Sequence, residues 1–307
     1  MVDVIIPSYQ PDETLIRLFD NLRKQTMEVH KVIVINTEEK LWNEFVEKYG
    51  YDADAFSWVE VHHIARSEFN HGRTRNVGVS YSDADIFIMM TQDAVPYDEF
   101  FIENLVAPLK DGKVAASYAR QMARNDATIV EQITREFNYP DESRVKTIED
   151  LDSLGIKTFF CSNVSCAYTR RIFDELGGFI DRTIFNEDMI FAFKLLKEGY
   201  AISYTADARV LHSHNYSGLQ QFRRNVDLGV SQGEHPEIFA SVPSTSEGKK
   251  LVKSTISELK KRKRYADIFH YIYVSGCKYM GYLIGTHYKS LPRSLVKKCS
   301  MSPGYFE

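Results

Sequence analysis

No stretch of this sequence is apolar for long enough to span a bilayer. The nearest, residues 268–288, is broken by Lys278 and carries His270, Ser275 and His287. Cysteine is scarce. Cys161, Cys166, Cys277 and Cys299 form no Cys-x-x-Cys pair, which excludes the common zinc and dithiol motifs and fits reduced thiols in a cytosolic protein. The opening "MVDVIIPSYQ" is a strand-like run too short and too polar at its end for a secretory leader. No GxGxxG follows it, since Pro7, Ser8 and Tyr9 stand there, and most of the case for a dinucleotide oxidoreductase goes with it. Internal repeats and low-complexity segments are also missing. A net charge of −4 argues against a general nucleic-acid binder.

What is present is an alternation. The β-branched runs "VDVIIP", "KVIVIN", "WVEVHHI", "DIFIMM" and "VAASYA" are separated by helical patterns, such as Leu15, Leu18, Phe19 and Leu22, or Leu41, Phe45 and Val46. Strands alternating with helices predict an α/β fold with a mostly parallel sheet covered on both faces. Residues 138–157 read as loop. "SNVSCAYTRRIFDELGGF" reads as strand, helix and glycine turn, "NEDMIFAFKLLKEGY" as an amphipathic helix, and "RVLHSHN" as a strand ending in histidines. The Ser- and Pro-rich "SVPSTSEGKK" suggests a boundary near residue 240. The chain then divides into residues 1–240 and a C-terminal helical segment, 241–307.

Three places could carry chemistry. Asp93 ends an apolar strand, where open α/β sheets collect ligands, yet an Asp before Pro96 equally suits a turn. Glu187 and Asp188 open a helix, as a proton acceptor needs or as simple N-terminal acids. His212 and His214 alternate on a strand, so at most one is expected to reach a shared site. One acid and one histidine from separate strand ends would suit Mg²⁺ or Mn²⁺ already held by a diphosphate. Cys161, Cys166, Met89 and Met90 read as packing.

The order of these pieces resembles the inverting glycosyltransferases of family 2, which have the GT-A fold. The matching stretches are "VIIPSYQPDETL", "VIVIN", "GRTRNVGV", "MMTQDAVP", "SNVSCAYTRRIFDELGGF", "NEDMIFAFKLLKEGY" and "RVLHSH", in order over residues 2 to about 215. Within the family, "FNHGRTRNVG" and "TQDAVP" look most like bacterial rhamnosyltransferases of surface-polysaccharide synthesis. The resemblance implies a nucleotide-binding set of Pro7, Ser8, Tyr9, Asn36, Arg73, Arg75, Gln92 and Asp93. It implies Asp188 as catalytic base, with Glu187, Gly177 and Gly178 on the acceptor side. Asp93 and His212 would hold a divalent metal, Mg²⁺ or Mn²⁺, with His214 as second choice. Thr91 departs from the family's Asp-x-Asp, and Asn36 stands where an aspartate usually reads the base.

The activity so implied is transfer of a sugar, L-rhamnose from dTDP-L-rhamnose, to a hydroxyl of a lipid-linked or growing glycan. A UDP-sugar hexosyl- or galactofuranosyltransferase, or a catalytically idle GT-A binding module, are the alternatives. From Lys249 to Ser300, 13 Lys or Arg stand against two acids, leaving 25 basic and 40 acidic residues elsewhere. A basic, aromatic tail of that kind suits an anionic membrane surface, hence a cytoplasmic protein peripheral at the inner face of the plasma membrane. Packing on the catalytic domain with the charges in water is the other reading of the tail.

Overall fold

Apolar side chains alternate with period two along the strands, and in the computed structural model, which describes residues 1–240, 242 and 245–307, that alternation divides the core. Ile5, Ile33, Ile35, Phe87 and Met89 enter one layer, and Val4, Ile6, Val32, Val34, Ile88 and Met90 the other. Helix Glu13–Arg23 covers the second layer through Leu15, Leu18, Phe19 and Leu22, joined by Trp42 and Phe45 of helix Glu39–Tyr49. Ile190, Phe191, Leu195 and Leu196 of helix Glu187–Lys197 cover the first. Of the boundary expected near residue 240, Ser241, Pro243 and Ser244 lie outside the described residues.

The strands are β1 (Val2–Tyr9), β2 (Lys31–Thr37), β3 (Val59–Ile64), β4 (Ile86–Met90), β5 (Val95–Pro96), β6 (Val114–Met122), β7 (Arg144–Lys146), β8 (Ser165–Thr169) and β9 (Ala201–Leu211). They form one sheet in the order β3-β2-β1-β4-β8-β6-β9-β5, with β7 also paired to β9. The expected parallel pairing holds for β1 with β2 and β4, for β2 with β3, and for β6 with β9. β8 runs antiparallel between β4 and β6, and β5 and β7 are antiparallel to β9, so the sheet is mixed. The chain reaches β8 beside the end of β4, where Thr91 N donates to Val164 O at 3.1 Å. Starting from that edge, β8 can only run backwards. The carboxyl ends of β1, β2, β4, β6 and β9 therefore share an edge with the start of β8.

Two close approaches hold the elements around that edge. Helix His71–Ser80 begins against the 179–186 loop, and a Cβ at Gly72 would lie 1.7 Å from Ile180 O. Its N-cap residue, Asn70, accepts from Gly72 N at 3.2 Å and from Thr183 N at 3.3 Å through one side-chain oxygen. Helices Gly218–Glu234 and Tyr265–Thr286 touch backbone to backbone. A Cβ on Gly281 would stand 2.2 Å from Phe222 O, and one on Gly285 2.1 Å from Val226 O. Among the described residues no helix is long and apolar enough to cross a membrane.

Gly72→Ala should therefore cost about 1–3 kcal/mol, the usual penalty of forced overpacking. Gly112→Ala, whose Cβ would meet nothing within 4 Å, should stay within about 0.5 kcal/mol of wild type. Denaturant melts of both variants check this.

Candidate active site

A cleft of about 420 Å³ opens at the shared strand edge. β4 stops at Met90, and the chain turns through Thr91, Gln92 and Asp93, Ala94 N donating to Thr91 O at 3.1 Å. β9 stops at Leu211. Past that point the pleat no longer governs direction, and both following histidines turn to Asp93. His212 Nε2 is 3.5 Å from Asp93 Oδ1, His214 Nε2 is 3.3 Å from Asp93 Oδ2, and the two nitrogens are 3.2 Å apart. The expectation that only one histidine reaches the site fails because the strand ends one residue too early.

The shell around this triad sets its chemistry. Gln121 Oε1 accepts from Arg135 and lies 3.1 Å from His212 Nδ1, so Nδ1 is the donor there and Nε2 is left as a bare acceptor facing a carboxylate. Gln121 Nε2 donates to Ser162 Oγ at 2.9 Å, which fixes the amide's orientation. Burial pushes the His212 imidazole down to about 3, and burial also lowers His214. Burial opposes ionisation of Asp93, but the two facing histidines outweigh it and its pKa is lowered. Three ligand atoms within 4.8 Å, one carboxylate and two neutral imidazoles, are a donor set that fits a divalent cation.

Across the cleft stand the two acids of helix Glu187–Lys197. Glu187 is buried, its Oε1 3.2 Å from Arg75 Nε and accepting from Asn163 Nδ2 at 3.1 Å. Burial works against its charge, but Arg75 and then His71 outweigh it and the pKa is lowered. Burial pushes His71 down to about 4 despite Glu187. Asp188, half-buried on the wall, accepts from Asn163 N at 3.1 Å and Met189 N at 2.8 Å. Burial and then the charge of Glu187 push it up to about 7. One acid of the pair is fixed as an anion and its neighbour is poised to exchange a proton near neutrality.

The expected base pocket lies beside the cleft, at the ends of β1 and β2. Gln92 braces it: its Oε1 accepts from Ser8 Oγ at 2.7 Å and Tyr9 N at 3.1 Å, and its Nε2 donates to Tyr9 O at 3.0 Å. Pro7 is half-buried, and the exposed Tyr9 hydroxyl accepts from Arg66 at 2.8 Å. Asn36 is buried. Its Nδ2 donates to Glu38 O at 3.0 Å and lies 3.1 Å from His63 Nδ1, while its Oδ1 has no partner.

Arg75, expected near ribose or diphosphate, lines the cleft, with its guanidinium matched by Glu187 and donating to His71 O at 2.8 Å. Arg73 is exposed and does not line the cleft. Gly177 and Gly178 form a Schellman cap, with Gly177 N donating to Asp174 O and Gly178 N to Phe173 O, both at 3.0 Å. That turn, bound by Asn76 through Phe179 N and O, is not part of the cleft lining, and Phe179 is in the core. Cys161 and Cys166 are buried with sulfurs 3.3 Å apart, and burial pushes the Cys166 thiol up, as packing residues require.

Sequence reasoning missed Asn163, which holds both acids, and Gln121. It also missed two cations in the lining, Arg224 and Lys278. Arg224 lies over the rings of Phe185 and Tyr216 at 4.6 and 5.9 Å. Among the described residues neither has a carboxylate at ion-pair distance. Lys278 had left a trace, as the single cation inside a long apolar helix.

Mixed sheet, strand-edge cleft and acid–histidine constellation together define a GT-A glycosyltransferase. Residues 3–177 match the family described as Glycosyl transferase family 2, and the chain belongs to that family. It is 37% identical over 307 residues to "O-antigen chain rhamnosyltransferase RfbN" of Salmonella typhimurium, covering 99% of this chain and 96% of that protein. To "O-antigen chain rhamnosyltransferase WbaN" of Salmonella anatum it is 39% identical, covering 79% of this chain and 78% of that one. The fold is shared with the mannosyltransferase PcManGT from Pyrobaculum calidifontis, solved with GDP-Man and Mn²⁺, at 15% identity and a TM-score of 0.60 over 94% of this chain and 86% of that one. It is shared also with S. aureus TarS 1-349 in complex with UDP-GlcNAc, at 13% identity and a TM-score of 0.53 over 94% and 91%.

The raised pKa of Asp188 has a sign that melts can read. Its contribution to stability is complete below the unfolded carboxylate pKa of about 3.9 and is lost as pH rises through about 7. Asp188→Asn removes that loss. The melting temperature of the variant minus that of wild type should be more positive at pH 8 than at pH 5, and a flat difference would return Asp188 to the ordinary range.

Proposed function

We propose that this enzyme transfers L-rhamnose from dTDP-L-rhamnose to a hydroxyl of a lipid-linked or growing bacterial surface polysaccharide, with inversion at the transferred carbon. The observation that carries the reading is Asp188, a cleft carboxyl whose pKa of about 7 suits a general base. The two relatives named as rhamnosyltransferases support the choice of sugar. In the reaction, the acceptor's O–H proton passes to Asp188. The freed oxygen bonds to the anomeric carbon from the side opposite the diphosphate, and the bond to diphosphate breaks.

Asp93, His212 and His214 would hold the divalent metal. When bound, it supplies Lewis acidity to the departing diphosphate. Two imidazoles beside one carboxylate favour Mn²⁺ over the oxygen-seeking Mg²⁺. Arg224 and Lys278, without acidic partners, face the negative charge of the diphosphate in place of Arg75 and Arg73. Asn36 Oδ1, a buried acceptor without a partner, takes the N–H of a pyrimidine base. Residues 1–240 carry the acids and histidines of transfer, while residues 241–307 add Lys278 to the cleft and meet the inner face of the plasma membrane, where the lipid-linked acceptor resides.

Asp188→Asn should keep donor binding and lose about 10²- to 10⁴-fold in turnover. Near-normal transfer by this variant would remove Asp188 from the mechanism. Titration calorimetry with dTDP tests the other side of the cleft. With Mn²⁺ present, Asp93→Ala, His212→Ala and His214→Ala should all weaken binding, the two histidines to similar extents, and with EDTA present none should matter. Arg224→Met and Lys278→Met should weaken dTDP more than thymidine in either buffer.

A further inference from the structure

Helix Tyr265–Thr286, 22 residues long, has two unlike faces. Tyr271, Val274, Lys278, Gly281 and Gly285, three or four apart, point inward: Gly281 and Gly285 meet helix Gly218–Glu234, and Lys278 lines the cleft. On the opposite side, Tyr265, Phe269, Ile272, Tyr273, Tyr279 and Met280 fall within an arc of roughly 120° at helical spacing. All six are more than half exposed, Phe269 at 77%. That arc contains no charged residue. Asp267, the helix's single acid, lies off it and is bonded by Arg264 Nε at 2.5 Å. A contiguous apolar face of this extent on a water-facing helix marks a contact surface.

The surroundings of the face identify its occupant. Lys260 and Lys263 precede the helix, and Lys289 and Lys298 follow it. All four are exposed, and among the described residues none has an acidic partner. A second copy packed on the face would bring cations against cations in either orientation. An anionic bilayer matches both the apolar strip and its charged ends.

We propose that this face lies on the anionic inner surface of the membrane, with Phe269, Ile272 and Met280 at the boundary of headgroups and acyl chains and the flanking lysines on the headgroups. Because Lys278 reaches the cleft from the other side of the same helix, docking holds the cleft about 10–12 Å, one helix diameter, above the lipid. That spacing lets a sugar on a lipid diphosphate reach Asp188. This last step rests on the lipid-linked acceptor proposed above; the docking does not.

The test uses the full chain with vesicles of phosphatidylcholine containing phosphatidylglycerol. Wild type should co-sediment with them and retain part of its binding at 1 M salt, since the apolar contribution is not screened. Phe269→Glu/Ile272→Glu/Met280→Glu should lower partition by about tenfold or more at every salt concentration, with its melt and dTDP binding unchanged because the residues are exposed. Phe269→Trp should shift its emission to the blue on mixing. A triple variant that binds equally well, a tryptophan that does not respond, or a wild-type dimer that ignores vesicles and is split by the triple variant would overturn the proposal. If docking holds while no nucleoside diphosphate binds, the transferase reading fails alone. If rhamnose is transferred to a soluble acceptor by a protein indifferent to vesicles, only the docking falls.

Discussion

The buried contact between Arg75 and Glu187, 3.2 Å long, sets the electrostatics of the cleft. An isolated carboxylate in that position would take up a proton to escape burial. Arg75 keeps Glu187 charged, and that fixed charge adds to burial, the larger cause, in pushing Asp188 up to about 7. The same contact ties helix His71–Ser80 to helix Glu187–Lys197, so one pair both positions Asp188 and helps to tune it. Buried ion pairs contribute little to net stability once desolvation is counted. The effect of this one lies in a neighbour's proton affinity.

The two walls of the cleft therefore differ in character. The acid pair occupies one wall, with the Asn163 backbone and side chain holding its oxygens. The other carries Asp93 with its two neutral imidazoles, and the unmatched Arg224 and Lys278 also line the cavity. On the proposed reading, the negative charge that develops on a diphosphate leaving group would be met by these two cations without reorganisation. Gln92 adds rigidity of a different kind: by bonding both backbone groups of Tyr9 it ties the end of β1 to the turn that carries Asp93.

The layered fold was legible in the sequence because alternation along each strand reports burial on both faces. Ile5 and Ile6 belong to different cores, and the pattern of their neighbours says so. The direction of β8 was not legible, since the short run Ser165–Thr169 reads alike from either end. The order Asp93, Asp188, His212 marked the site by family resemblance, while the role of His214 was hidden by one residue of strand length. The pairing of Arg75 with Glu187 was not legible because the partner lies 112 positions along the chain, and sequence spacing carries no trace of such a pair. Lys278 was visible as an oddity, a charge interrupting an otherwise apolar helix, but only the packing of Gly281 and Gly285 shows where it points.

The reversed strand at the centre of the sheet also matters while the chain is being made. β4 has β1 on one side as soon as it emerges, but its other side waits for β8. Residues 91–164 must be synthesised in between, about 4–15 s at ~5–20 residues per second. During that interval a short apolar strand, Ile86–Met90, offers unpaired peptide groups to any extended segment nearby. Slow codons or poor chaperone supply while residues 91–164 are made would lengthen that exposure.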